Sequence, residues 1–159
     1  MRSCKLLMLG MLGLGFAGVA QAADVLETMR ADPNLTTFIG LVDKSGVASQ
    51  FAGPQTITVL APTNGAFDMV GPSQMRGLDG NQERLRAFVL GHVLPGERTA
   101  IFGTEHTTAT AKTLAGSTIE VEATGMGAGT IDNHGRVVQM NIRADNGIIH
   151  KVDHPIGMR

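Results

Sequence analysis

The chain has no tryptophan and no tyrosine, and its single cysteine lies at position 4. Aromatic residues make up 4% of it and charged residues 17%, with a formal net charge of −1. Nucleic-acid binding needs a cationic surface and stacking rings, and this composition supplies neither. A lectin site built on ring stacking is disfavoured for the same reason. No run of like charge, internal repeat or low-complexity linker divides the chain.

What is present begins with an export pattern. Arg2 and Lys5 precede an apolar run from Leu6 to Val19, and Ala20-Gln21-Ala22 offers small residues for cleavage. This is the build of a signal peptide over residues 1–22. The run is too short for a membrane span and no stop-transfer charge follows. Cleavage after Ala22 removes Cys4, so the mature chain would have no disulfide and would depend on packing alone. Loss of Arg2 and Lys5 makes it more acidic. Residues 23–159 are expected to form one domain, exported to a periplasm or outside the cell, with no transmembrane segment after cleavage.

The first half reads as mostly helical. Asp24 caps a short turn carrying Val25, Leu26 and Met29. Asn34 is expected to cap a stronger helix with Leu35, Phe38, Ile39 and Val42 on one face, closed by Lys44 and Gly46. Thr56 to Leu60 is a β-branched run stopped by Ala61-Pro62, where proline removes an amide donor. Thr63 or Asn64 then caps a short helix that buries Ala66, Phe67 and Val70. Gly71-Pro72 breaks the chain before a helix from Asn81 to Leu90. The second half is rich in Thr, Val and Ile, at 107–112, 117–123, 130–132, 136–140 and 148–152, separated by Gly and Asn turns. Helices followed by antiparallel strands imply an α+β fold.

Three segments stand out together. They are Thr58-Val-Leu-Ala-Pro62-Thr63-Asn64-Gly-Ala-Phe67, Leu85 to Gly96 around His92, and Asn141 to Asp153 with Asn146-Gly147 and His150. In this order and spacing the chain closely resembles the fasciclin domain, from about Asp24 to Pro155. The resemblance implies a wedge-shaped β-sandwich with helices packed along one side. It also implies a non-catalytic module for adhesion or for binding an extracellular or envelope protein or matrix component. Thr58, Pro62, Thr63, Asn64, Phe67, His92, Asn146, Gly147, His150 and Asp153 are its signature positions, with mainly structural roles expected. The family's central Tyr-His pair has Gly91 in place of tyrosine, so a receptor-binding role resting on that pair does not carry over.

Each tempting chemical group has a plainer reading. His92 falls on the apolar face of its helix near the C-terminus, where it can bond free carbonyls and fix the turn through Pro95-Gly96. His150 alternates with Ile148 and Val152 on one face of the last strand, while Lys151 and Asp153 share the other. His150, His154, His106 and His134 could in principle meet at a metal, but such a site needs three or four converging ligands and Pro155 ends the strand. Gly125 to Gly129 has strand-like sequence on both sides and reads as a hairpin, since a phosphate loop must enter a helix. No serine lies in a nucleophile elbow. No cofactor and no enzymatic activity are expected, and the chain should be a monomer or weak oligomer. The alternative is a carrier of a small apolar pigment or lipid, held in a groove between helices and sheet.

Overall fold

The computed structural model describes residues 23–98, 106–125 and 128–158. The export segment at 1–22 lies outside the described residues. Helix α1 (Val25–Arg30) is capped by Asp24, whose side chain accepts the Glu27 amide. A 3-10 turn (Pro33–Leu35) leads into α2 (Thr36–Ser45), which ends at Gly46 in the left-handed conformation at φ 72°. β1 (Ile57–Pro62) is followed by three short helices, α3 (Asn64–Asp68), α4 (Pro72–Asp79) and α5 (Gln82–Leu90). Then come β2 (Val93–Pro95), β3 (His106–Lys112), β4 (Thr118–Gly125), β5 (Ala128–Ile131), β6 (Gly135–Ala144) and β7 (Gly147–Val152).

The strands form one seven-stranded sheet in the order β2-β1-β7-β6-β5-β4-β3. The α+β class holds, and the sandwich is this single sheet curled on itself. Leu60 of β1, Leu94 of β2 and Val152 of β7 share an apolar cluster with Ala111, Ile119, Val121 and Ile131 from the other end of the sheet. A hydrogen bond from the Leu114 amide to the Val93 carbonyl, at 2.8 Å, ties the turn after β3 to β2. The second face of β1, β2 and β7 carries Val59, Val93 and Ile149, which pack with Val25, Phe38, Leu41, Leu85 and Val89 from the helices. β1 and β7 are therefore buried on both faces at every position.

Four local expectations are corrected. The strands are not all antiparallel, because β1 and β7 pair in parallel from Ile57↔Gly147 to Pro62↔Val152. Asn34 does not cap α2; its amide instead donates to Asp32 Oδ1 at the start of the 3-10 turn. Gly71-Pro72 does not merely break the chain, since Pro72 opens α4 at a position where its missing amide costs no helical bond. Pro95, expected in the turn with Gly96, is the last residue of the edge strand β2. The hairpin expected at Gly125 to Gly129 joins β4 and β5, which pair antiparallel on either side of it; Met126 and Gly127 lie outside the described residues.

Candidate functional site

The two outer sequence signatures lie side by side, because β1 carries Thr58 and Pro62 while its parallel neighbour β7 carries Gly147 and His150. Thr58 is buried within β1, where its hydroxyl donates to the Gly96 carbonyl at 2.7 Å and accepts the Arg98 amide at 2.9 Å. It thus anchors the chain leaving β2. Pro62 closes the β1 register opposite Val152, and the Thr63 amide resumes bonding to the Val152 carbonyl at 3.0 Å. Thr63 is the N-cap residue of α3 but makes no side-chain cap bond. Phe67 packs into the helix-side core.

Asn64 caps a different helix from the one it begins. Its Oδ1 accepts the Thr37 amide at 3.0 Å and the Thr36 hydroxyl at 3.2 Å, while Nδ2 donates to the Pro33 carbonyl at 2.9 Å. One of the free amides at the start of α2 is thus met from across the fold. Asn146 does the same work at the opposite end of the β1–β7 pair. Its Oδ1 accepts the Val25 amide at 2.8 Å, and Nδ2 donates to the Phe51 and Gly53 carbonyls at 2.7 and 3.0 Å. Beside it, Gly147 lies so close to β1 that a Cβ there would overlap the Ile57 carbonyl oxygen. Asp153 accepts the Arg136 amide at 2.6 Å and continues the pairing past the end of β7.

His92 is 0% exposed. Its Nδ1 lies 2.8 Å from the Phe88 carbonyl, which assigns the proton to Nδ1, and Nε2 accepts the Ile156 amide at 2.9 Å. It therefore holds the C-terminal segment instead of the Pro95-Gly96 turn. The rings of Phe88 and Phe38 stand 4.6 and 5.4 Å away. Burial pushes its pKa down to about 4, against the opposing pull of the Phe88 carbonyl. His150 is buried in β7 opposite a bulge in β6, where the register jumps between Gln139 and Ile142. Asn141, in the left-handed region at φ 57°, turns its amide to His150 Nδ1 at 3.3 Å. Burial pushes this histidine down to about 4 as well, opposed by a hydrogen bond to the Arg98 backbone. Among the described residues no three His, Cys, Asp or Glu side chains converge as a metal site.

Sequence reasoning missed one feature and anticipated a second, an apolar groove, without locating it. Lys151 is only 8% exposed and forms an ion pair with Asp32. Burial would raise the Asp32 pKa, but Lys151 and the Asn34 amide hold it below the usual carboxylate value. The second is a half-open groove of about 370 Å³ beside His92. It runs between α4, α5, the β3–β4 turn and the C-terminal segment, with Leu78, Phe88, Ile156 and Met158 among its walls and Gly91 in its floor. The sequence signal for it was the small residue at Gly91, which marked the departure from the family pattern without showing what it opened.

A profile of the fasciclin domain matches residues 33–158. The chain belongs to the fasciclin domain family. It is 28% identical over 135 residues to the Synechocystis protein sll1735, a match covering 85% of this chain and 98% of that protein. It is 29% identical over 138 residues to transforming growth factor-beta-induced protein ig-h3 of Sus scrofa, covering 85% of this chain but 18% of that one. Among solved structures, a FAS1 domain pair from the insect cell adhesion molecule fasciclin I superposes with a TM-score of 0.61 at 19% identity, covering 79% of this chain and 45% of the other. The shared fasciclin fold accounts for the two signatures: they are the strands that meet at its centre and the asparagines that tie its helices to them.

Proposed function

We propose that this fasciclin domain is an exported, non-catalytic interaction module that contributes to adhesion or to association with an envelope or matrix component. The observation that carries the reading is the family match over residues 33–158. The geometry supports it in two ways. The signature side chains bond to backbone and packing partners inside the domain, which leaves recognition to the surface, where binding residues concentrate. Five consecutive residues of edge strand β3, His106 to Thr110, are exposed, as are Ala115 to Ser117 of the β3–β4 turn and the Met69 side chain at 75%. Residues 1–22 would direct export and be removed, leaving residues 23–159 as the working domain. Deleting the gene should lower attachment of the producing cells, and the wild-type gene should restore it; unchanged attachment would count against the reading.

One observation favours a second reading. The groove beside α5 falls in the ~300–1,000 Å³ range of small-molecule sites. A carrier of a small apolar ligand would use it.

A further inference from the structure

We propose that the groove binds a single-chain amphiphile with a carboxylate head, the guanidinium of Arg84 receiving the head and the apolar walls the chain. The proposal rests on the carrier reading and names its ligand class; the interaction reading does not depend on it.

The groove originates in the sequence of α5. Arg84, Ala87, Phe88 and Gly91 follow the i, i+3, i+4, i+7 spacing that places residues on one helix face, and all four line the groove. That face is distinct from the one bearing Leu85 and Val89, which is buried in the helix-side core. Two of its four positions carry almost no side chain. At Gly91 a Cβ would come within 3.2 Å of the Ala87 and Phe88 carbonyls, and the missing side chain leaves the space beside it open. Across from α5, Leu78 is buried in α4, and Ile156 is fixed in place by the bond from its amide to His92. The apolar walls are therefore formed before any ligand arrives, which lowers the ordering cost of binding.

Charge selects the head group. Among the described residues Arg84 is the one charged side chain in the lining. Its Nη1 lies across α4, 3.7 Å from where a Cβ on Gly77 would stand. Arg30, Lys44, Arg143 and Lys151 each pair with a carboxylate. Arg84 pairs with none among the described residues. A guanidinium presents parallel donors that match a carboxylate. The volume suits one alkyl chain and is small for a two-chain lipid.

Sodium dodecanoate, kept below its micelle concentration, and dodecan-1-ol would be titrated into the methyl-labelled chain and followed by NMR. The expected result is saturable binding of dodecanoate with shifts at the Leu78, Ala87, Ala115 and Met158 methyls, and weaker binding of the alcohol. Arg84→Gln should weaken dodecanoate about two- to fivefold, the range of an exposed ion pair, and leave the alcohol unchanged. Ala87→Phe, at an exposed helix position, should abolish both while the fold is retained. Equal affinity for acid and alcohol, or no effect of Arg84→Gln, would overturn the head-group assignment and spare the carrier reading. No binding by either, or binding indifferent to Ala87→Phe, would overturn both. Concentration-dependent shifts of the same methyls without ligand would seat a second copy of the chain in the groove and overturn the proposal.

Discussion

His92 and His150 each sit where a proton is unwelcome. A histidine in an unfolded chain titrates near pH 6.5, while burial pushes both of these down to about 4. Between those values the unfolded chain binds protons that the folded chain does not. Stability is therefore intact above about pH 6.5, falls as the pH drops toward about 4, and levels off there for these two groups, by at most about 3 kcal/mol per histidine. Asp32, held low by Lys151, loses its contribution only in a more acidic window. Urea denaturation at pH 7 and 4.5 should show the loss, and His92→Gln should roughly halve it; equal stability at both pH values would mean that the folded state accepts these protons. Asn146 offers a second test, because three hydrogen bonds converge on one amide. Asn146→Ala leaves partly buried backbone groups without partners and should cost about 2–4 kcal/mol, measured by the same denaturation. That His92 would lie on a buried face was legible from its spacing to Leu85 and Phe88. That Asn64 rather than Asn34 caps α2 was not, since a cap bond has the same geometry whether its partner is adjacent in sequence or 27 residues away.

Helix faces and strand segments followed from periodicity; the observed β3, β4 and β7 fall within two residues of their expected limits, while β6 runs four residues past its expected end. Pairing was less legible. The Ile57–Pro62 and Gly147–Val152 runs carry apolar residues at most positions, which signals burial on both faces but not which strand lies alongside or in which direction. Only the close approach at Gly147 fixes that neighbour physically. Gly147→Ala should force β1 and β7 apart and destabilise the fold by about 3 kcal/mol or more, or prevent folding, because a backbone oxygen cannot yield as a flexible side chain does. At Gly40, inside α2, nothing lies within 4 Å of the position a Cβ would take. Gly40→Ala should instead stabilise the protein by about 0.5–1 kcal/mol through helix propensity. Thermal melts of the two variants should move in opposite directions, and a neutral Gly147→Ala would contradict the parallel pairing at this position.

At the scale of the molecule, the sheet curls so that its two ends share one apolar cluster while the helices cover another. Two cores on opposite faces of β1 and β7 explain how the fasciclin fold holds together with no cysteine among the described residues. They also bury Thr58, His92 and His150 of the motifs and leave most of β3 exposed. A single domain with a surface of this kind makes few contacts at once, so adhesion of the proposed type would depend on display in many copies. The most direct test is to measure binding of the purified mature chain to envelope or matrix material from the producing cells, first as free protein and then on beads. Weak, saturable binding by the free chain, competed by unlabelled protein, is expected, with an avidity gain of about a hundredfold or more on beads. Binding no greater than that of an inert protein in both formats would contradict the proposed function.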